Sequence, residues 1–274
     1  MTNSSRITSV GYLGDAFSYH HIAAMEYFGR DCIFSGFPSF DAVVEALQNG
    51  QVENALLAVQ NTLAGDVPGN YGRIADGQQM VTGEIRLHIA LQLAALPGVN
   101  MEEIRTVFSH PMAIRETRRF FALHPQIKLV ETASTAGALK LVAESGIREQ
   151  AAIGSKAAVK HYGLMRLGGP IDDHPDNITR FLILSAKKTA KETTTGPVIA
   201  SLLLRSQLKE NIIEHTLLPS EELLLERALA SGNVYIEIAA DQQLKIVERI
   251  RKMEETLGTI TILGVYSPGI TVSV

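Results

Sequence analysis

The sequence predicts an α/β fold with two sheets, followed by a smaller α+β domain. Between residues 6 and 185, short apolar runs alternate with helix-like segments, a pattern typical of βαβ units and largely parallel sheets. About ten strands are many for a single sheet, so we expect two sheets with a cleft between them. The chain has 274 residues, 46% of them hydrophobic, which is enough for about two domains with a substantial core.

The composition excludes several classes of protein. Charged residues make up 20% of the chain and the net charge is −4, so neither nucleic acid nor an acidic membrane surface is an expected partner. The single cysteine, Cys32, excludes an intrachain disulfide and fits a reducing compartment. The polar N-terminus does not resemble a signal peptide, and the most apolar run, residues 89–96, is too short to span a membrane. We therefore expect a cytoplasmic protein.

Strands and helices alternate along the first two thirds of the chain. A strand at 10–13 ends at Gly14 and leads into a helix, and Ser39 is predicted to cap a second helix that Gly50 ends. The continuous apolar run 55–59 is typical of a strand covered on both faces. Further helices are predicted at 112–123 and 135–144, and further strands at 85–96, 106–108, 128–130, 151–153 and 178–184.

A polar segment separates this part of the chain from the C-terminal part. Residues 187–196 contain almost no apolar side chains and lead into Pro197, which predicts a linker between a unit of residues 1–186 and a small domain of residues 197–274. In the small domain we predict a strand at 198–204, a helix at 221–230 capped by Ser220, a strand at 233–239, a helix at 241–257 and a strand at 259–266.

Residues that could carry chemistry cluster at the ends of predicted strands. The sequence has no Cys/His spacing typical of a metal site, no glycine-rich phosphate loop and no Gly-x-Ser-x-Gly motif of a serine hydrolase. The cluster richest in polar groups, residues 172–181, contains Asn177, Thr179 and Arg180. Each cluster alone is typical of a turn or helix cap, but together they lie where α/β sheets bind ligands. The other candidates are Ser18, Tyr19, Asn61, Thr62, Ser109, Ser134 and Thr135.

The order and spacing of these clusters resemble those of the prephenate dehydratase family. The most distinctive motif is Asn177-x-Thr179-Arg180-Phe181, and the resemblance covers about two thirds of the chain, residues 7–185. The shorter motifs are Gly14…Ser18-Tyr19, Asn61-Thr62…Gly65, Gly83-Glu84, Ser109-His110-Pro111, Ser134-Thr135 and the segment 152–164.

The resemblance implies a fold more specific than the pattern alone. It implies a catalytic domain with two lobes, similar to periplasmic binding proteins, with the substrate in the cleft between them. The first lobe would comprise about residues 1–80 and 172–186, and the second about residues 81–171. It also implies a C-terminal ACT domain, with which the strand and helix pattern after Pro197 is compatible. A homodimer or a dimer of dimers is then expected.

The reaction that the resemblance implies converts prephenate to phenylpyruvate with loss of water and CO2. Aromatisation drives this reaction, so we expect no cofactor and no metal, and a small molecule with two carboxylates as the ligand. Thr179 is implied to hydrogen-bond the departing hydroxide, with Asn177 beside it, and Arg180 to pair with a carboxylate or to support the loop. The residues implied to bind substrate are Ser18, Tyr19, Asn61, Thr62, Ser109, Ser134, Thr135 and Phe181.

The chain departs from the family pattern at several positions. Gln60 stands where a Glu is common, His20 where a Ser is common and Met112 where a Gln is common. The loss of the Glu removes a negative charge from a site for a dianion. In the C-terminal domain, the Gly-Ala-Leu and Glu-Ser-Arg-Pro motifs that bind phenylalanine in regulated relatives are absent, and residues 205–211 read Arg-Ser-Gln-Leu-Lys-Glu-Asn. We therefore predict weak or no inhibition by phenylalanine.

Three other functions remain open at this point. A relative that decarboxylates prephenate without dehydration would be expected to lack the hydroxyl of Thr179. Arogenate, the aminated analogue of prephenate, is an alternative substrate. A sensor of amino acids or aromatic acids on the same fold would bind its ligand without turnover, and the change Thr179→Ala would leave its function intact.

Overall fold

A computed structural model of the chain describes residues 7–186, 196–205 and 221–273, which form three sheets. Residues 187–195 and 206–220 lie outside the described residues. Three predictions therefore lie outside the described residues: nearly all of the predicted linker, the cap by Ser220, and most of the segment that replaces the phenylalanine-binding motif.

The first sheet has seven strands and contains both parallel and antiparallel pairs. Its strands are β1 (Ser9–Leu13), β2 (Ile33–Phe37), β3 (Asn54–Asn61), β4 (Gly65–Asp66), β5 (Met80–His88), β11 (Ile178–Ser185) and β16 (Thr271–Ser273). The order is β16-β5-β11-β3-β1-β2, with β4 beside β3, and β11 is antiparallel to both of its neighbours. Helix α1 (Tyr19–Phe28) packs on one face, and helices α2 (Phe40–Gln48) and α3 (Asn70–Asp76) pack on the other.

The second sheet has five strands and forms the second lobe. Its strands are β6 (Gln92–Ala95), β7 (Thr106–Ser109), β8 (Lys128–Glu131), β9 (Gln150–Gly154) and β10 (Met165–Pro170), in the order β10-β6-β9-β7-β8. Its helices are α4 (Pro111–Arg115), α5 (Arg118–Ala122), α6 (Thr135–Ser145) and α7 (Lys156–His161), and a short 3-10 helix covers Met101–Glu103. The chain crosses between the first two sheets twice, at residues 89–91 and 171–177.

The third sheet is antiparallel throughout and packs against the first. It consists of β12 (Val198–Leu204), β13 (Glu221–Ala228), β14 (Val234–Ala240) and β15 (Ile260–Tyr266), in the order β13-β14-β12-β15, with helix α8 (Gln243–Leu257) on one face. On its other face, Leu203, Tyr235 and Leu263 share a buried core with Leu182 and Leu184 of β11. The third sheet therefore covers one face of the first.

The sequence predicted the fold class correctly but mistook one strand for a helix. The α/β class and the division into two sheets are confirmed. Residues 221–230 were predicted to be helical, whereas 221–228 form the strand β13. Leu223 contacts the core beneath α8, and Leu225 lies in the core shared with the first sheet. A strand covered on both faces has a continuous apolar run, and periodicity alone does not distinguish such a run from a buried helix.

Two other predicted elements are interrupted in the structure. The strand expected at 85–96 is two strands, because the chain leaves the first sheet after His88 and enters the second at Gln92. Strand β5 belongs to the first sheet, and the first strand of the second sheet begins at Gln92. The helix expected at 112–123 is divided at Glu116 and Thr117, where the Thr117 hydroxyl donates to the Ala113 carbonyl oxygen at 2.9 Å.

Candidate active site

A chain of hydrogen bonds joins the two lobes where β3 ends and β11 begins. We call it the amide network, and it consists of Thr179, Asn61, Asn177 and Glu116. The Asn61 amide nitrogen Nδ2 donates to Thr179 Oγ1 at 3.0 Å and to Asn177 Oδ1 at 2.7 Å. Asn177 Nδ2 in turn donates to Glu116 Oε2 at 2.9 Å. Thr179 and Asn61 are brought together because they are opposite each other in the β3–β11 pairing.

The direction of every bond in this network is fixed by two backbone donors. The backbone N–H groups of Leu63 and Ala64 both donate to Asn61 Oδ1 at 2.9 Å. A backbone N–H can only donate, so the oxygen of the Asn61 amide must face the loop and its NH2 group must face Thr179 and Asn177. Thr179 Oγ1 therefore accepts a hydrogen bond from Asn61, and the Thr179 proton is left to donate elsewhere.

The loop that carries Asn177 is held from both neighbouring segments. The Thr62 hydroxyl donates to the Asp176 carbonyl oxygen at 2.7 Å and accepts from the Ile178 backbone N–H at 2.9 Å. The Ile89 backbone N–H donates to the Asn177 carbonyl oxygen at 2.7 Å. Asn177 itself is fully buried. Thr62 thus acts in the structure as a support of this loop.

Glu116 brings a carboxyl group from the second lobe into the network. It lies where α4 ends, and its carbonyl oxygen accepts from the Asp173 backbone N–H at 2.8 Å. Burial raises the pKa of Glu116 above its ordinary value, and the nearby Asp172 raises it further, while the hydrogen bond from Asn177 opposes these effects. A proton is therefore held on Glu116 at a higher pH than on an exposed Glu.

A second set of contacts joins the lobes through the loop between β1 and α1. Ser134 Oγ, at the N-terminus of α6, donates to Asp15 Oδ2 at 2.9 Å. Ser155 Oγ, at the N-terminus of α7, donates to the Phe17 carbonyl oxygen at 2.9 Å. Phe17 has a φ of 62°, and its backbone N–H donates to His21 Nδ1 at 2.8 Å. The loop is thus fixed by both lobes.

His20 is half-buried beside the strand that carries Thr179. Its ring lies 5.2 Å from the ring of Phe181 and 5.6 Å from that of Phe40, between ring centroids. Its Nε2 atom is buried and has no hydrogen-bond partner among the described residues. Burial, together with His110, lowers the pKa of His20 to about 4, so the ring is neutral near pH 7.

The structure places the remaining candidate residues outside the amide network. Ser18 caps α1 by accepting from the His21 backbone N–H at 3.3 Å, and the Tyr19 hydroxyl donates to the Ala90 carbonyl oxygen at 2.9 Å. The Ser109 hydroxyl is fully buried and donates to the Ile153 carbonyl oxygen at 2.9 Å. Thr135 is the first residue of α6, and Phe181 is a fully buried core residue.

Arg180 lies on the opposite face of β11 from Thr179. Its guanidinium group is 2.5 Å from a Glu84 oxygen and 2.7 Å from a Glu237 oxygen, and its side chain is 9% exposed. Both carboxylates are protein groups, so Arg180 is not available to bind a carboxylate of a ligand. The expected pairing with substrate is therefore not supported by the geometry, since successive residues of a strand point to opposite faces.

Glu116 was not among the residues predicted from the sequence. Glu116 follows the Ser109-His110-Pro111 motif by one to two helical turns, so a carboxyl group on the helix that begins at this motif was the available signal. In the described parts of the chain, no group of three or more His, Cys, Asp and Glu side chains is close enough to hold a metal ion. No helix there is both long and apolar enough to cross a membrane.

The first two sheets, which two crossings of the chain connect, form a two-lobed α/β domain. The candidate site is the amide network, which lies between the two lobes. Residues 10–189 match the family model described as prephenate dehydratase. This match covers more than half of the chain, so the chain belongs to the prephenate dehydratase family.

Curated relatives cover nearly the whole chain. A bifunctional chorismate mutase/prephenate dehydratase from Buchnera aphidicola (subspecies Schizaphis graminum) is 28% identical over 96% of this chain and 72% of the relative. An arogenate dehydratase/prephenate dehydratase 2 from Arabidopsis thaliana, a chloroplastic protein, is 29% identical over 97% of this chain and 74% of the relative.

Solved structures agree with the fold. A prephenate dehydratase from Arthrobacter aurescens, solved in complex with L-Phe, has a TM-score of 0.83 at 21% identity, covering 95% of this chain and 90% of that one. A protein described as a novel type of quorum-quenching acylase has a TM-score of 0.81 at 22% identity, covering 95% and 98%. At these identities the two structures show the fold alone.

Proposed function

We propose that this chain catalyses the decarboxylating dehydration of prephenate to phenylpyruvate in the biosynthesis of phenylalanine. The family match and the names of the curated relatives support this reaction, which makes the protein a carbon–oxygen lyase. The C–C bond to the ring carboxylate breaks and CO2 leaves. The electron pair of that bond enters the ring, which becomes aromatic as the C–O bond breaks, and the hydroxyl departs as hydroxide, which takes a proton from solvent to become water. The protein must hold a dianion and assist the departing hydroxide.

The observation that carries this proposal is the orientation of the Thr179 hydroxyl. Because Thr179 Oγ1 accepts from Asn61, its proton points away from the amide network. A donor held in this way can stabilise negative charge on a departing oxygen without first breaking a bond within the protein. An alcohol is a weak acid, so we assign Thr179 the role of hydrogen-bond donor in a relay.

The protonation of the buried groups suits an anionic ligand. Burial raises the pKa of Glu116, which weakens the preference of this carboxyl group for its charged form and so lessens its repulsion of a dianion. The lowered pKa of His20 leaves a neutral ring with one buried nitrogen. Since Arg180 is engaged by Glu84 and Glu237, the negative charge of the substrate is proposed to be met mainly by neutral donors.

The domain division proposed here follows the sequence with one change. The catalytic lobes are about residues 1–80 with 172–186, and 81–171, but the membership of β5 in the first sheet favours a boundary near residues 89–91. We propose an ACT-like domain over residues 197–274, joined by a linker at 187–196. The antiparallel sheet with α8 on one face supports it. The cytoplasmic location stays a prediction.

The reaction is tested by product formation. Purified protein is mixed with prephenate near pH 7 and phenylpyruvate is followed by its absorbance in alkali, and arogenate is offered in parallel with phenylalanine as the measured product. We expect phenylpyruvate from the wild type and none above background from Thr179→Ala. Product from arogenate but not from prephenate would assign arogenate as the substrate. Prephenate consumed without phenylpyruvate indicates a decarboxylase, and binding without turnover indicates a sensor.

Regulation and assembly are proposed on the resemblance. The ACT-like domain is expected to support a homodimer or a dimer of dimers, which light scattering after size exclusion measures directly. Inhibition by phenylalanine is expected to be weak or absent, because the two binding motifs are missing from the sequence of the C-terminal domain, residues 197–274. Tight, saturable binding of phenylalanine in a calorimetric titration would contradict this expectation.

A further inference from the structure

The third sheet reaches the strand that carries Thr179 through a buried ion pair. Arg180 Nη1 donates to Glu237 Oε2 at 2.7 Å, and Glu237 belongs to β14 of the third sheet. Glu237 is 1% exposed. Its other oxygen, Oε1, accepts from the Tyr235 hydroxyl at 2.8 Å and lies 3.4 Å from the Tyr266 hydroxyl. Strands β14 and β15 therefore both hold the carboxylate that faces Arg180.

The other side of Arg180 is held by its own sheet. Arg180 Nε donates to Glu84 Oε2 at 2.5 Å, and Glu84 is 2% exposed. Glu84 Oε1 accepts from the Gly269 backbone N–H at 2.9 Å and lies 3.4 Å from Arg86 Nη2. Two guanidinium groups and two carboxylates thus alternate in this cluster, and their charges balance when Arg86, whose side chain is 43% exposed, is counted with the three buried groups.

Burial of such a cluster is not explained by stability alone. Desolvation of buried charges offsets much of their attraction, and well-packed apolar side chains of the same volume often serve stability as well or better. A hydrogen-bonded ion pair has a defined geometry, because each oxygen and each N–H has a fixed direction. Apolar packing does not provide this. The cluster therefore serves to hold the Arg180 side chain in one position.

The backbone beside Arg180 needs such an anchor, because the strand ladder is irregular there. In the pairing of β11 with β3, Arg180 is opposite Gln60 but Phe181 is opposite Ala58, so Val59 is an extra residue. A bulge of this kind bends the pairing and changes the direction of nearby side chains. Thr179 is the residue before Arg180, and its Oγ1 lies 3.0 Å from Asn61 Nδ2, the donor that sets the direction of the Thr179 proton.

We propose that Glu237 of the third sheet is a positioning residue for the reaction, which through Arg180 fixes the backbone of Thr179 at the bulge. This inference rests on the proposed function. Glu237 contacts no residue of the amide network, and its effect is exerted through the Arg180 side chain and the β11 backbone. Dehydration then depends on the third sheet being docked on the first, even though the third sheet contributes nothing to the amide network.

The test compares Glu237→Gln with a control variant at Asp241, in the turn that directly follows the same strand. The Gln side chain keeps the size of Glu237 and an oxygen for the Tyr235 hydroxyl, but it loses the charge that faces Arg180. Asp241→Asn removes a carboxylate from the exposed ion pair with Lys245, which lies 3.1 Å away, and serves as the control. Steady-state kcat and KM for prephenate are measured per folded molecule, with the folded fraction taken from circular dichroism.

We expect Glu237→Gln to lower kcat about tenfold and to change KM less than twofold, because the groups that meet the ligand stay in place while the donor is misplaced. Glu237→Asp, which keeps the charge, should recover part of the loss, and Asp241→Asn should match the wild type. An unchanged kcat per folded molecule in Glu237→Gln would overturn the proposal and leave a role in stability.

A second readout separates this inference from the proposed function. Hydrogen exchange of the backbone amides at residues 178–181 is measured by mass spectrometry in the wild type and both variants. We expect faster exchange there in Glu237→Gln and wild-type exchange in Asp241→Asn. If the wild type does not convert prephenate, the proposed function fails, and exchange alone decides whether Glu237 fixes this strand. Equal exchange in all three proteins would refute the inference.

Discussion

A single change at Asn61 should turn the hydroxyl proton of Thr179 towards residue 61. In the wild type, the backbone nitrogens of Leu63 and Ala64 each lie 2.9 Å from Asn61 Oδ1. In Asn61→Asp, one carboxylate oxygen still accepts from both N–H groups. The other oxygen replaces the nitrogen that donated to Thr179 Oγ1 at 3.0 Å. Because a carboxylate cannot donate, Thr179 would donate to it, and the hydroxyl would lose the free proton that we assign to the reaction.

The size of the effect follows from the bonds that change. To donate to the departing hydroxide, Thr179 must first break a hydrogen bond to a charged acceptor, which is worth about 1.5–3 kcal/mol. At about 1.36 kcal/mol per tenfold in rate, kcat should fall by roughly 10- to 150-fold. KM should rise as well, because the new carboxylate repels a dianion. Stability should fall by only about 1–3 kcal/mol, since two of the four hydrogen bonds of Asn61 are kept.

Steady-state kinetics with prephenate and urea unfolding give these quantities. The control is Asn70→Asp, the same change at a fully buried amide whose Nδ2 donates to the Ala58 carbonyl oxygen at 2.6 Å. It should cost similar stability and leave kcat unchanged, because Asn70 is not part of the amide network. A wild-type kcat in folded Asn61→Asp would refute the assigned direction of the Thr179 proton.

Three further predictions concern titration and packing, each measured by urea unfolding. The lowered pKa of His20 gives stability that is present above about pH 6.5 and is lost towards pH 4, by up to about 3 kcal/mol, and His20→Leu should remove this dependence. The raised pKa of Glu116 gives stability that is lost as pH rises past the ordinary Glu value, so Glu116→Gln should gain on the wild type between about pH 4 and pH 8. A Cβ at Gly264 would overlap the Val81 carbonyl oxygen, so Gly264→Ala should lose about 1–3 kcal/mol, whereas Gly72→Ala, which meets no atom, should not.

The sequence located the polar groups better than it located their neighbours. Asn61 and Thr179 were predicted at strand ends, and the pairing of β3 with β11 places them opposite each other. Such predictions succeed because a strand end and a turn residue are local properties of the chain. Glu116 was missed because its role depends on the break between α4 and α5, which the helical pattern does not reveal.

The role of Arg180 could not be read from the motif that contains it. Its partner Glu237 is 57 residues away, on a different sheet. The same packing explains the error at residues 221–230, because Leu225 is buried against the first sheet while Leu223 packs on the other side, against the core beneath α8. Contacts between distant segments decide both outcomes, and no local pattern encodes them.

The alternation of one strand then accounts for the way the site and the third sheet are connected. Thr179 faces the cleft and Arg180 faces the third sheet because consecutive residues of β11 point to opposite sides. The side chain that we propose to take part in the chemistry is thereby fixed from behind by its neighbour in sequence. Leu182 and Leu184, which point to the same side as Arg180, also pack against the third sheet. A change that moves β14 relative to β11 is therefore expected to reach Thr179 through the β11 backbone, and the polar link in this path is the pair of Arg180 with Glu237.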